Sequence, residues 1–249
     1  MEHEHECNQW ERLAGEFAES EKFYQAASQY VQAAQCYLDR VIEMTRKAAE
    51  NFHIHAEISM EAGDHKTAAL SYFEAANQYR QVNEFDTALT LFETAAEEAL
   101  KEDMVETAAK SYLWAAFACH KLGNSEYFLT CAENMGTLYE KAADSSLEEG
   151  KAERAVIDLS LAAMGFATIE KYDHAHDLIA KAKRILDKTT WDWLKDLLTF
   201  SEALAASNID EAEDVVKAFK EEQTIQEVMG ACLSIVDERQ KQKRKKHSS

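Results

Sequence analysis

One nine-residue pattern recurs at 20-residue intervals and limits the possible folds more than any other feature of the chain. Each copy places an aromatic residue four positions after an alanine and three before a pair of alanines, and the aromatic positions are Tyr72, Phe92 and Tyr112. Because residues three and four apart share one face of a helix, each copy predicts a helix with a face of small and aromatic side chains. Two copies would form a hairpin of about 40 residues, a size typical of solenoid repeats.

Looser copies extend this pattern in both directions. Tyr30 lies between two alanine pairs, while Leu159 and Ile179 hold the position of the aromatic residue further along the chain. The sequence contains no proline, and proline is the residue that most strongly interrupts a helix. We therefore predict an all-α fold of about 12 helices, a right-handed superhelix of stacked antiparallel helical hairpins similar to tetratricopeptide solenoids.

The predicted superhelix spans residues 8–238. Residues 1–7 are polar and are expected to be flexible, and residues 239–249 form a basic tail that is expected to be disordered. Separate helices are predicted over 21–38 and 41–61.

Further helix boundaries come from local signals in the second half of the chain. A longer helix is predicted over 125–147, since this interval between copies of the pattern is wider and ends near Gly150. Three pairs have the spacing of a capping box and predict helix starts: Thr189 with Asp192, Asn208 with Glu211, and Thr224 with Glu227.

The charge distribution is strongly asymmetric. The formal net charge is −19, although six basic residues lie between 239 and 246. Without these six cations the remaining chain carries −25. Such an acidic body argues against nucleic acid or an anionic membrane as the main partner, and suits either a basic protein surface or simple solubility. The basic run at 243–246 fits a nuclear import signal, a weak anionic contact or a solubilising end.

The cysteines and the termini indicate the cellular compartment. The five cysteines are odd in number and form no C-x-x-C motif, so reduced, buried thiols in a cytoplasmic protein are expected. No stretch of 18 apolar residues is present, and the first ten residues, MEHEHECNQW, lack the features of a signal peptide.

The residues capable of chemistry do not form a recognisable catalytic or metal-binding motif. Three H-x-H pairs occur, His3 with His5, His53 with His55, and His174 with His176. Residues two apart on a helix point in nearly opposite directions, so these pairs predict no metal site. Phosphate-binding loops and nucleophile elbows are absent from the sequence. We therefore expect a non-enzymatic protein with no catalytic residue, metal or cofactor.

The helical pattern resembles the divergent tetratricopeptide repeats of the SNAP family, with a spacing nearer 40 than 34 and no closing proline. Within that group the chain is most similar to the forty-kilodalton huntingtin-associated proteins. This similarity rests on the N-terminal run Trp10, Leu13, Ala14, Phe17 and Glu21, on Ala26, Ala27, Ala34 and Cys36, on Gly63, Ala68, Ala69, Phe92, Ala95 and Ala96, and on the segments 194–216 and 221–223. Their proline-rich insertion is missing here.

The resemblance implies an adaptor that binds and stabilises huntingtin, a large scaffold of HEAT repeats, and that is linked to early endosomes and cytoskeletal transport. The alternative is a SNAP adaptor proper, which binds the SNARE complex and stimulates its disassembly ATPase. Segment 194–216 also resembles the last repeats of SNAP adaptors. Two features depart from them, the acidic body and the dipeptide Leu233-Ser234 in place of the closing leucine pair. The residues that contact either partner are not identified by the sequence.

Overall fold

A computed structural model describes residues 2–20 and 22–247 of the protein. The described residues form eleven α-helices and no strand. The helices are α1 (Glu2–Glu19), α2 (Phe23–Glu61), α3 (His65–Gln81), α4 (Phe85–Lys101), α5 (Val105–Leu122), α6 (Ser125–Glu148), α7 (Ala152–Thr168), α8 (Tyr172–Leu186), α9 (Leu194–Ala205), α10 (Ile209–Ala218) and α11 (Gln223–His247). From α1 to α8 each helix packs mainly against its neighbours in the chain, which confirms the predicted all-helical solenoid.

Seven of the turns share one hydrogen-bonding arrangement. In each, a residue in the left-handed region ends one helix, and the next residue immediately precedes the following helix. At the first turn Gly63 has a φ of 75°, and the Asp64 N–H donates to the Ser59 carbonyl at 2.9 Å. This six-residue loop is the Schellman motif, which satisfies the last carbonyls of a helix without proline. The left-handed residues of the seven turns are Gly63, Asn83, Asp103, Gly123, Gly150, Glu170 and Ser207. The first four recur every 20 residues, which explains the sequence period.

The core consists of the faces that the repeated pattern predicts. Tyr72 and Phe92 are buried, and Tyr112 is partly buried. The alanine pairs that follow these residues are also buried, as are Leu159 and Ile179 at the looser copies. Small side chains let the helix backbones approach closely, and the aromatic rings fill the remaining space.

Helix α2 differs from the prediction, because it is a single helix of 39 residues where two helices were expected. No glycine or proline occurs between Phe23 and Glu61, so nothing in the sequence forces an interruption. This fusion accounts for the eleven helices observed instead of about twelve. The prediction for 125–147 is confirmed by α6.

The predicted capping boxes have mixed outcomes. Asn208 does precede α10, but its side-chain amide donates to the Glu211 carboxylate at 2.7 Å and does not cap a backbone N–H. The prediction at Thr189 is wrong, because its hydroxyl donates to the Leu186 carbonyl of α8, and α9 begins only at Leu194. At the third pair α11 begins at Gln223, one residue before Thr224.

Helices reach both ends of the described residues. Helix α1 begins at Glu2, within the segment 1–7 that was predicted to be flexible, and Cys7 within it is fully buried. Helix α11 continues to His247, so the expected disordered tail is helical through most of its length. Arg239 donates to the Thr168 carbonyl at 2.5 Å, and Lys243 pairs with Glu170 at 2.6 Å. Two cations thus meet the C-terminal end of α7, where the helix dipole favours positive charge.

Helices α6 and α7 approach each other closely at a pair of glycines. A Cβ atom added to Gly165 would lie 3.2 Å from the backbone of Gly136 and from the Ala132 carbonyl oxygen. Two glycines facing each other therefore set the distance between these helices. Gly230 on α11 provides a contrast, because a Cβ atom there would meet nothing within 4 Å.

We expect Gly165→Val to lower the free energy of unfolding by about 1–3 kcal/mol, because the branched side chain would force α6 and α7 apart. The matched change Gly230→Val should leave the free energy of unfolding within about 0.5 kcal/mol of wild type, since its site is open. Urea unfolding followed by far-ultraviolet circular dichroism measures both values. Equal effects of the two substitutions would contradict this assignment.

Candidate partner-binding face on helix α2

Helix α1 and the first half of α2, residues 23–44, form a two-helix unit that we call the N-terminal arm. Among the described helices α1 packs extensively only against α2. The fully or nearly buried side chains of the arm are all small, namely Cys7, Ala14, Ala26 and Ala33. Two helices joined through such small residues bury little apolar surface. The arm therefore lacks a substantial core of its own.

A disulfide bond links the two helices of the arm. Cys7 and Cys36 are bonded, with their Cα atoms 5.5 Å apart. The expectation of five reduced thiols is therefore wrong for this pair, whereas Cys119, Cys131 and Cys232 are free and buried as predicted. The pairing could not be predicted from the sequence, because residues 7 and 36 become neighbours only when α1 folds back on α2. Near the bond, the Tyr37 hydroxyl lies 2.8 Å from Asn8 Oδ1 and 2.7 Å from Glu11 Oε2 of α1, and its single proton can be donated to either oxygen.

Large apolar side chains cover the side of the arm that no other helix occupies. We call this surface the α2 face. Tyr24 is 89% exposed, and Phe23 and Val31 are exposed by more than 60%. The members of the face are Phe23, Tyr24, Tyr30, Val31, Tyr37, Leu38, Val41 and Met44. Contiguous exposed apolar surface of this extent is unusual in a free monomer and marks an interaction site.

The spacing and charge of the α2 face indicate what it can bind. Its members recur at intervals of three, four and seven residues, and the alanines at 27 and 34 continue the same stripe. Such a stripe packs well against another helix or a helical bundle. No charged residue occurs between Phe23 and Leu38, although 29% of the whole chain is charged. The face therefore favours an apolar helical partner.

Tyr30 shows that the same position of the repeated pattern can be exposed or buried, depending on the tertiary structure. It occupies the same position in the pattern as Tyr72, yet Tyr30 is 48% exposed and Tyr72 only 4%. Tyr72 belongs to the core that the following helices form, whereas no described helix covers Tyr30. The prediction that this stripe is core is thus wrong for the arm.

The histidine pairs do not converge on a metal ion. His55 contacts Ser71 at 2.8 Å, and His174 contacts Glu140 at 2.9 Å, so each histidine has a separate partner. The side chains of His3 and His5 lie outside the described part of the chain. Over the side chains that are described, no group of three His, Cys, Asp or Glu residues is placed to hold a metal.

One polar cluster between α4, α5 and α6 contains groups with altered acidity. Burial, together with the neighbouring Glu97, raises the pKa of Glu93 to about 7, and the Tyr127 hydroxyl donates to this carboxylate. A hydrogen bond with Cys119 and burial together raise the pKa of Cys131. Both thiols are buried, so they are not presented to a substrate. We interpret the cluster as structural.

Comparison with known proteins gives the family. The family model of the soluble NSF attachment protein, SNAP, matches residues 1–194. The chain belongs to the SNAP family. It is also similar to the vesicular-fusion protein SEC17 of Coprinopsis cinerea, with 30% identity over 98 residues. That alignment covers 39% of this chain and spans about a third of the length of the relative, 34%.

The SNAP family match confirms part of the expectation from sequence. It supports a helical adaptor, and SNAP proteins are non-enzymatic adaptors, in line with the absence of catalytic motifs. SEC17 is by its name a vesicular-fusion protein. Neither match supports huntingtin as the partner or a link to endosomes. No helix within the described residues is long and apolar enough to cross a membrane.

The SNAP match ends at residue 194, which is also the first residue of α9. Apart from Leu194, helices α9–α11 therefore lie beyond the matched region. The dipeptide Leu233-Ser234, which the sequence resemblance placed at the closing leucine pair of SNAP adaptors, lies inside α11 and outside the matched residues, and Leu233 is buried there. The α2 face, in contrast, lies wholly within the matched residues.

The repeat position can be tested with one matched pair of substitutions. We expect Phe92→Ala to lower the free energy of unfolding by about 3–5 kcal/mol, because its ring is fully buried. Tyr30→Ala, at the equivalent position of the arm, should change it by less than about 0.5 kcal/mol. Urea unfolding of both variants checks this difference. A loss of several kcal/mol for Tyr30→Ala would show that another part of the protein covers the α2 face.

The raised pKa of Glu93 predicts a pH-dependent stability. The folded state binds this proton more tightly than the unfolded state, so the stabilisation is present at low pH and is lost as the pH rises through about 7. Glu93→Gln should remove about 1–2 kcal/mol of the decrease in unfolding free energy between pH 5 and pH 8. The control Glu126→Gln, at an exposed position, should retain the full decrease in unfolding free energy. Urea unfolding at several pH values in this range measures the effect. If the unfolding free energy of Glu93→Gln changes with pH as much as that of wild type, the assignment is wrong.

Proposed function

We propose that this protein is a SNAP-type adaptor in vesicle fusion, and that it binds the helical bundle of the SNARE complex through the α2 face. The observation that carries the proposal is the exposed, uncharged apolar stripe on α2, within the part of the chain that matches the SNAP family. A bundle of parallel helices presents ridges and grooves that such a stripe can enter.

The α2 face is large enough to form a specific interface. Its eight large side chains together expose on the order of 900 Å², given about 150–250 Å² for a fully exposed aromatic side chain and less for an aliphatic one. A standard protein interface buries about 800 Å² on each partner. Aromatic side chains such as Tyr24 and Tyr30 are also enriched among the residues that contribute most to binding.

The charge of the protein distinguishes this mode of binding from an electrostatic one. The resemblance to SNAP adaptors implies a basic face toward acidic SNARE proteins, and the acidic body of this chain does not provide it. An apolar stripe without charges can contact the bundle despite this difference. Binding through it should depend little on salt, because few ion pairs would form.

The contact with the disassembly ATPase has less support than the contact with the bundle. The sequence resemblance implies that SNAP adaptors use a closing leucine pair for that contact. In this chain the corresponding Leu233 is buried within α11. We therefore centre the proposal on bundle binding and treat stimulation of the ATPase as a separate measurement.

The test uses the full-length protein and an assembled SNARE bundle in a pull-down followed by calorimetry. We expect wild type to bind, and Val31→Asp to weaken binding at least tenfold, because a carboxylate would be buried in an apolar contact. Leu129→Asp is the matched control, since Leu129 is an exposed leucine on α6, 40% accessible, and should bind as wild type does.

Three results would overturn the proposal: no binding by wild type, equal binding by Val31→Asp, or loss of binding in both variants. A HEAT-repeat huntingtin fragment, included as a competing ligand, tests the partner that the sequence resemblance favours. If that fragment binds through the α2 face and the SNARE bundle does not, the SNAP-type assignment is wrong. Sedimentation of the free protein shows whether a second copy covers the face instead.

A further inference from the structure

A cavity of about 290 Å³ lies away from the N-terminal arm, between α5, α7, the segment 187–193 and α11. This volume is near the lower limit for small-ligand pockets and equals roughly ten water molecules. Its apolar walls come from α7 and α11, among them Ile157, Leu161, Ile225 and Val228. The bundle-binding proposal makes no use of this cavity.

Two tryptophans form another wall of this cavity. The rings of Trp191 and Trp193 are stacked at a centroid distance of 5.6 Å and an angle of 21°. Trp193 also packs edge-on against the buried ring of Phe219 at 5.8 Å, which fixes its position. Trp191 nevertheless remains 47% exposed. A half-exposed indole stacked on a fixed neighbour offers a flat surface for an apolar or aromatic group.

Two hydrogen-bond donors that line the cavity have no partner among the described residues. Tyr139 is only 2% exposed, and its hydroxyl makes no hydrogen bond to a described side chain or carbonyl. Burial raises the pKa of the Tyr139 phenol, so it keeps its proton and remains a donor. Lys110 likewise forms no ion pair with a described residue. The Tyr139 hydroxyl is not among the enclosed polar atoms that lack a partner, so it is open to the cavity and can donate to a ligand there.

The other charged groups at the cavity limit the charge of that ligand. Arg154 is already paired, with Glu106 at 2.8 Å and with the fully buried Asp158 at 3.0 Å. Lys110 is therefore the cation at the cavity that is available to pair with an anionic group of a ligand. Glu222 also lines the cavity, and it would repel a second negative charge on the ligand.

We propose that this cavity binds a monocarboxylate with an apolar or aromatic body. The body lies between the tryptophan wall and the aliphatic side chains of α7 and α11. The carboxylate accepts a hydrogen bond from the Tyr139 hydroxyl and pairs with the Lys110 ammonium. The same chemistry is offered by a small free acid and by the last residue of a peptide, because both combine one carboxylate with an apolar group.

The first experiment titrates 3-phenylpropionate into the full-length protein by isothermal calorimetry. We expect binding in the micromolar to millimolar range and at least tenfold weaker binding of the neutral amide, 3-phenylpropionamide, because it lacks the charge that pairs with Lys110. Phenylsuccinate, which adds a second carboxylate, should also bind more weakly. A peptide ending in phenylalanine, compared with its C-terminally amidated form, shows whether a chain terminus is accepted as well.

Conservative substitutions then assign the two donors. Lys110→Gln should weaken 3-phenylpropionate binding about tenfold, and Tyr139→Phe about fivefold, as expected for losing a charged and a neutral hydrogen bond. Lys66→Gln, an exposed lysine distant from the cavity in α3, should have no effect. Thermal melts confirm that each variant folds.

Binding of the amide as tightly as the acid, an unchanged affinity in Lys110→Gln, or no binding of either the acid or the peptide would overturn the proposal. These results are independent of the SNARE proposal, because Val31→Asp leaves the cavity unchanged and Lys110→Gln leaves the α2 face unchanged. Each proposal can therefore fail without the other.

Discussion

The close packing of helices through alanine faces is the constraint on which the rest of this structure depends. Ala75, Ala95 and Ala115 have no exposed surface, and their small side chains allow neighbouring backbones to approach. The aromatic residue of each repeat fills the space that the alanines leave. Because the hairpins from α2 to α8 are joined by the same Schellman turn, the array can continue for as long as the pattern does.

An array of this kind has two ends, and each end must bury or expose an apolar face. At the C-terminal end α11 folds back onto the solenoid, and its apolar residues, such as Met229 and Cys232, are buried. Basic residues that suggested a free tail instead hold α11 to Glu170. At the N-terminal end no described segment covers this side of α2 in the same way, so its aromatic side chains face solvent. The proposed partner surface is thus the uncovered end of the repeat.

The two proposed sites have a common physical feature. At each site one kind of interaction is not completed within the protein itself. On the α2 face the incomplete feature is apolar burial, which a helical partner would supply. In the cavity beside Trp191 it is hydrogen bonding, which a carboxylate would supply to Tyr139 and Lys110.

The sequence by itself determined the helical class, the 20-residue step and the buried faces around Tyr72 and Phe92, because helix periodicity and small-residue packing are local properties of the chain. It could not determine that Tyr30 is exposed, since burial depends on whether another helix arrives from elsewhere. The fused helix α2 was missed because a helix interruption needs no single residue type.

Only the tertiary structure brought Cys7 to Cys36 and Arg239 to the end of α7. It also placed Lys110, Tyr139 and Trp191, which are far apart in the chain, around one cavity. Such contacts depend on the path of the whole solenoid, and no local pattern encodes that path.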